Sequence, residues 1–469
     1  MAEFIRKWRD QVAGAALFAV AAILFFPTTS FDFQVTWDDG AYVLNNPHIT
    51  GFTLANLISL FDRPYVGLYN PVQMLTYMVD YKVWGLDPFG YHLSNVLIHS
   101  ANVVLAFFVL HRLTGEFMLA FFSALMFAVH PLNVENIAWI AERKTLVSAF
   151  FVLASLLFYL RYRASGHGGR GSYAVSLVLF LFAVFAKGTV MGLSMVLLCH
   201  EGLFREKGER NFRHLIPFFV ISLLAAGATL WATLGTKVVG GGLDITPEFL
   251  FGRVYPTMLP IWWEYIRLLI FPAGLSAYYI PIVRGSFFDP VVLAAILGWI
   301  VVLERIFFRA SRQVKFWFLW AVFFFAPTSG LVPWVVFYAD RYMYLPGIGF
   351  YVMAGMGATW MYHRFTVNRP KSEVTGNRVA LIGMAAIAFV YGSLAYQRSA
   401  VWETELTLWQ DTTVKSPEFS DGHLNLGAAN LRAGRLDEAE IAYRRAHELG
   451  NPKGEVGLWA VDERRRRQP

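Results

Sequence analysis

Apolar stretches recur from Ala13 to about Tyr396, for example within 101–110, 146–160 and 215–234, and short charged patches separate them. Each belongs to a segment of membrane-crossing length, which predicts a polytopic protein built of helices. The first such segment, 12–26, follows Arg6, Lys7 and Arg9 and runs into Phe25-Phe26-Pro27 rather than a small-residue cleavage site. It reads as a retained anchor with a cytoplasmic N-terminus. The stretch 28–90 sets six aspartates, Asp32, Asp38, Asp39, Asp62, Asp80 and Asp87, against Arg63 and Lys82, and reads as an exported loop. Basic clusters at Arg112, 161–170, 205–213, 305–315 and 363–378 mark the cytoplasmic side. The run 254–271 holds Pro256, Pro260, Glu264 and Arg267, residues expensive in a lipid-facing helix, and reads as re-entrant or interfacial; 291–303 reads as the true span. The expected fold class is therefore all-α, with about eleven transmembrane helices and an exported tail after 396.

Composition sharpens the class. Of 469 residues, 56% are hydrophobic and 16% charged, whereas soluble domains carry about 25% charged residues. An ordinary cytosolic enzyme is excluded. The net charge of +7 follows from the cytoplasmic bias of Lys and Arg and points to no nucleic acid. The single cysteine, Cys199, can form no intrachain disulfide.

The tail, 397–469, turns polar and Ala-rich. In it, Leu426-Gly427, Ala439, Tyr443, Ala446 and Pro452 stand at the offsets of one tetratricopeptide repeat, and Trp409 and Pro417 suggest a half repeat before it. A helical hairpin that merely packs on the membrane domain is the plainer alternative. The expected domains are 1–396, transmembrane with its first loop at 28–90, and 397–469.

Four groups of residues could carry chemistry. Asp38 and Asp39, in Val35-Thr36-Trp37-Asp38-Asp39-Gly40, place adjacent carboxylates just beyond the first helix, where one could act as a general base or hold a cation; the same tripeptide also suits a turn. His92, Asn95, His99 and Asn102 share one helical face that must look into the bundle, either for interhelical hydrogen bonds or for a ligand. Glu135, Trp139, Glu142, Arg143 and Lys144 follow His130-Pro131 in a second exported loop. Lys187, Arg253 and Arg341 are exported cations against the charge bias; either they share an anionic ligand such as a lipid phosphate, or they snorkel to headgroups. Paired carboxylates also suit Mg²⁺ or Mn²⁺, although no metal ligand set and no certain cofactor emerges. Aromatics near this surface, including Tyr342 and Tyr344, could wall a sugar site or belong to the interface.

Six ordered stretches, FQVTWDDGAYVLNNPHIT, YHLSNVLIHSANV, HPLNVENIAWIAERKTLVS, FAKGTVMG, YIRLLIFPAGLSAYYIP and DRYMYLPGIGF, together with the tail, resemble the transmembrane and tetratricopeptide-repeat O-mannosyltransferases and their bacterial relatives. These belong to the C superfamily of lipid-dependent glycosyltransferases. The resemblance implies an inverting enzyme that moves a monosaccharide, mannose or similar, from a polyprenyl phosphate to an exported protein or glycan acceptor. It implies Asp39, with Asp38 as alternative, as the general base; Arg341, Lys187, Arg143 and Arg253 on the donor phosphate; and Glu142, Glu135, His92, Tyr342 and Tyr344 around the substrate. No metal is demanded. The chain departs from the family in carrying His48 and Thr145 where acidic residues are frequent, and in having little more than one repeat. A bacterial inner-membrane protein with a periplasmic tail is expected. A lipid-linked-sugar transporter or a membrane scaffold are the rival readings.

Overall fold

The computed structural model describes residues 2–165, 169–235, 246–331, 336–366 and 373–467, and among them every regular element is helical. Helix α1 (Ala2–Phe25) is followed by an irregular loop and by α2 (Leu54–Asp62) and α3 (Pro71–Trp84). Helix α4 (Pro88–Thr114) starts where Asp87 accepts the N–H of Phe89 with Pro88 in the first turn, and stops at Gly115, whose φ of 73° suits a residue without Cβ. Then come α5 (Phe117–Val129), α6 (Val134–Ala138), α7 (Arg143–Ala164), α8 (Arg170–Ala186), α9 (Leu193–Phe204) and α10 (Ile216–Gly235). The second half holds the single turn α11 (Pro247–Phe249), α12 (Tyr255–Ile270), α13 (Pro290–Glu304), α14 (Arg312–Phe325), α15 (Pro346–Thr366) and α16 (Glu373–Ala400). The tail folds as α17 (Glu405–Lys415), α18 (Ser420–Arg432), α19 (Leu436–Glu448) and α20 (Lys453–Arg467).

The all-helical class is as expected, and the chain is a multi-pass membrane protein. The expected eleven crossings are not reached among the described residues. Five helices are long and apolar enough to span: Trp8–Ser30, Pro88–Thr114, Ile140–Ala164, Arg213–Ala232 and Pro290–Arg309. A sixth is formed only if Phe117–Val129 and Pro131–Ala138, bent by 54°, count as one. The shortfall has local causes. His130-Pro131 breaks one apolar run, because proline has no N–H to continue the ladder; Lys187-Gly188 divides another into Arg170–Ala186 and Gly188–Phe204, each short of a crossing. Helix α12, with its polar residues, is not of spanning character, whereas α13 is. The basic cluster at 363–378 lies largely outside the residues whose side chains are described.

One core runs from Ala13 through the bundle to Trp402, Leu408 and Trp409, so α17 shares the core of the membrane helices. Serines stitch α7 to α8: the Ser155 and Ser176 hydroxyls each donate to the other's carbonyl at 2.7 Å. Leu436, Ala439, Tyr443 and Val461 form a separate small core for α18–α20. It is built on the Tyr443 ring, which α20 approaches so closely that a Cβ on Gly457 would lie 2.3 Å from Tyr443 Cδ1. Gly457→Ala should therefore cost that hairpin about 1–3 kcal/mol by overpacking. Hydrogen exchange should quicken in α19 and α20 and keep its protection in α4 and α7; unchanged exchange in α20 would show that the ring gives way.

Candidate active site

The site begins with a buried carboxylate used as a fastener. Asp39 is fully buried, and its two oxygens accept backbone N–H groups from Gln34 at 2.9 Å and Ala141 at 2.8 Å. It ties the first loop to the turn Ile140–Glu142. That turn is pinned from behind by α3, where Gln73 Nε2 donates to the Ala141 carbonyl at 2.9 Å and the Tyr77 hydroxyl to that of Ile140 at 2.8 Å. Burial pushes the Asp39 carboxyl up to about 7 against the pull of its amide donors. Asp38, next to it, is partly exposed. Burial also raises its carboxyl, Lys144 lowers it, Glu142 raises it and Arg341 lowers it, so Asp38 shares the electrostatic surroundings of all three. Asp39 thus gives one acceptor position on each oxygen to a backbone amide. Among the described residues no group of three or more His, Cys, Asp or Glu side chains could hold a metal ion.

The second layer is a cluster of cations around Glu142. The break after α5 turns 130–145 into short helical pieces, all buried. Glu142 meets Lys144 Nζ at 2.9 Å, Lys187 Nζ at 3.3 Å and Arg341 Nε at 3.6 Å, and accepts the Thr145 hydroxyl at 2.7 Å. Lys187 also donates to Thr145 Oγ1 at 2.6 Å. Glu135 accepts Arg341 twice, from Nη1 at 2.6 Å and from the backbone N–H at 2.9 Å. The Arg341 guanidinium lies over the rings of Trp139 and Tyr342, 5.6 and 5.3 Å from their centroids. Here Thr145, Lys187, Arg341 and Tyr342, with apolar neighbours such as Val190 and Phe324, line a small cleft. Pro346 is shared between its wall and that of an apolar groove of about 700 Å³ between α12, α13, α14 and α15, lined by residues such as Trp262, Leu269, Ile300 and Phe350.

The other expected residues lie elsewhere. Arg143 is wholly buried and directed away from the cluster: it pairs with Asp80, donates from Nε to Asn95 Oδ1 at 2.7 Å and from Nη2 to the Tyr91 carbonyl at 2.6 Å, and stacks over Tyr77. Arg253 is exposed on the turn Leu250–Val254, and among the described residues no ion pair or hydrogen bond joins it to the cluster. His92 is fully buried and edge-on to Phe31 at 6.1 Å. Tyr344 lines the cleft, but its hydroxyl is engaged by His99 Nδ1 at 2.7 Å and Asn102 Nδ2 at 3.1 Å. Asn95, His99 and Asn102 of the α4 stripe thus serve hydrogen bonding between segments. Lys144, named with the second exported loop, joins the cluster together with Thr145: Lys144 stands beside Arg143 in the chain, and the 100° step of a helix sends adjacent side chains to different faces.

These features define a multi-pass membrane protein with a buried cluster of alternating charge beside an apolar groove. The chain is similar over nearly its whole length to protein O-mannosyl-transferases. One from Caenorhabditis elegans, F38B6.6, is 24% identical over 92% of this chain and 62% of its own; Tmtc1 of Drosophila melanogaster is 24% identical over 93% and 61%, and human TMTC4 26% identical over 93% and 65%. The chain thus spans less than two thirds of these relatives' length. No protein-family model matches it. Among solved structures, the archaeal oligosaccharyltransferase AglB from Archaeoglobus fulgidus, in complex with an inhibitory peptide and a dolichol-phosphate, aligns at 10% identity and a TM-score of 0.44 over 89% of this chain and 60% of its own. ArnT from Cupriavidus metallidurans, bound to undecaprenyl phosphate, aligns at 15% and 0.40 over 96% and 77%.

Arg143→Ala should leave the buried Asp80 carboxylate without its cation, at a cost of about 3–5 kcal/mol. Thermal unfolding of the detergent-solubilised protein checks this; a wild-type melting temperature would show that Asp80 relaxes to solvent.

Proposed function

We propose that the chain is an inverting glycosyltransferase that moves a monosaccharide, mannose or similar, from a polyprenyl phosphate to the hydroxyl of an exported acceptor, a protein Ser or Thr in the first instance. The observation that carries the reading is the junction of the Lys187–Arg341 cleft with the apolar groove. Such a pair of surfaces suits a ligand that is a phosphate at one end and a hydrocarbon at the other. Relatives named as O-mannosyl-transferases support the reaction class. Against a transporter, the charges gather in one cluster rather than along a path through the bilayer.

In this reading Arg341 and Lys187, with Lys144 in place of Arg143, hold the phosphate. As the bond from the anomeric carbon to the phosphate oxygen breaks, negative charge grows on the leaving phosphate, and preorganised cations there stabilise the transition state. The acceptor oxygen forms the new bond from the opposite face of the sugar, and its proton passes to Asp38. Asp38 takes this part rather than Asp39, because a base has to reach the acceptor: Asp38 is partly exposed, whereas Asp39 is fully buried and fastened by two amides. Glu142 and Glu135 keep the cations in place before the donor arrives. No step is assigned to a metal. The division into 1–396 and an exported, tetratricopeptide-like 397–469, and a bacterial inner membrane with a cytoplasmic N-terminus, belong to the same reading.

Two outcomes test it, using purified protein in liposomes with polyprenyl-phosphate hexoses and a Ser/Thr peptide. Asp38→Asn should lower kcat about 10²- to 10⁴-fold with donor affinity kept, whereas Arg341→Ala should weaken donor binding; a fully active Asp38→Asn sinks the assignment. The base must be ionised to work, and burial raises the Asp38 carboxyl. Turnover should therefore fall with decreasing pH along an acid limb centred above the ordinary aspartate value of about 3.9, and a limb at or below that value would contradict a buried base.

A further inference from the structure

The loop that carries Asp38 is held chiefly from the tail. Thr36, two residues before Asp38, gives its backbone N–H to Glu405 Oε1 and its hydroxyl to the same oxygen at 2.6 Å. The indole N–H of Trp409, one turn further along α17, donates to that hydroxyl at 2.8 Å. The other Glu405 oxygen is gripped by Arg432 from α18. Just upstream in the loop, Gln34 Nε2 donates to the Trp402 carbonyl at 2.9 Å and the Asp32 N–H to the Glu403 carbonyl at 3.0 Å. Trp37 sits inside a tryptophan cluster, 4.4 Å from Trp139, 6.1 Å from Trp402 and 5.1 Å from Trp409 between ring centroids. Trp139 is also the ring under Arg341.

The far end of α17 grips the other half of the site. Lys415 Nζ donates to the Leu275 carbonyl at 2.6 Å, the Ser416 hydroxyl to that of Tyr278 at 2.9 Å, and Phe419 stacks on the Tyr278 ring at 3.8 Å. The next residue, Tyr279, donates its hydroxyl to Asp340 at 2.6 Å, beside Arg341 in the chain. Glu405 and Lys415 are ten residues apart, about 15 Å of helix. A single helix thus touches the segment of the carboxylate directly and reaches the segment of the guanidinium through 275–279.

We propose that α17 is a brace of the active site and that Glu405 is its positioning residue, setting the place of Asp38 through Thr36. The tail then belongs to the catalytic chamber and is more than a docking arm for the acceptor. This rests on Asp38 being the base, and the experiment separates the two. A carboxylate accepting two donors from one residue fixes that residue's backbone and side chain together, and loss of an ångström in such a placement costs about 10²-fold in rate.

The test uses the full chain in liposomes with undecaprenyl-phosphate hexose and a Ser/Thr peptide, and undecaprenyl phosphate alone as the binding probe. Glu405→Ala should lower kcat about 10- to 100-fold while donor KM and undecaprenyl-phosphate affinity stay within about threefold of wild type. Its acid limb should move down towards the ordinary aspartate range, because a loosened loop lets water reach Asp38 beside Lys144, Glu142 and Arg341. Glu405→Gln keeps an oxygen for Thr36 and should restore most of the rate. Thr36→Val, which removes only the hydroxyl link, should lose less than Glu405→Ala with the same shift of the limb. Wild-type kcat and pH profile in Glu405→Ala, with Asp38→Asn inactive, overturn the brace and leave the base standing. Equal losses in the Ala and Gln variants together with lost undecaprenyl-phosphate binding also overturn it, since they report general unfolding. An Asp38→Asn variant as active as wild type removes the reading on which the brace depends.

Discussion

A charge taken out of water has to be met by partners, and in this protein the partners of Glu142 come from three separate places. Lys144 and Thr145 follow it in the chain, Lys187 arrives between α8 and α9, and Arg341 from the turn before α15. Removing a carboxylate from such a set leaves three cations facing one another in a low-dielectric space, and removing a cation leaves an uncompensated carboxylate. The bundle is consequently closed around this point: helices remote in sequence have to meet there, and the cleft and the apolar groove are what their meeting leaves open. A phosphate brought to Lys187 and Arg341 would share donors now given to Glu142 and Glu135.

The break at His130-Pro131 makes this possible. A continuous helix through 117–164 would present its polar residues all round and bury none of them together. Divided into short pieces, the segment turns Glu135 and Glu142 towards the cations and Arg143 towards Asp80, Asn95 and Tyr91. Arg143 and Lys144 are adjacent in sequence and serve opposite sides of the segment. One anchors it to α3 and α4, and the other completes the cluster. The anchoring also accounts for Asp39: its carboxylate takes the Ala141 N–H, so the first loop and the broken segment move as one piece.

Some of this is legible in the residues. Low charge and repeated apolar runs imply an all-helical membrane protein, and scattered cations away from the basic clusters pick out Lys187 and Arg341. The ordered stretches carry a family resemblance that similarity over more than nine tenths of the chain bears out. The eleven crossings were read from apolar length and the placing of basic clusters, neither of which registers that His130-Pro131 and Lys187-Gly188 end helices short of a crossing. The acidic motif covers both Asp38 and Asp39, and a motif does not say which of two adjacent carboxylates is fully buried. The hold of Glu405 on Thr36 had no signal at all, since 369 residues separate them.

The sequence by itself determined the class of the protein, because burial of apolar surface and the cost of charge in lipid act on composition and local order, which are written along the chain. Only the tertiary structure decided which ionisable groups face one another. Pairing energies depend on distances of a few ångströms between segments far apart in the chain, and no one-dimensional pattern carries those distances.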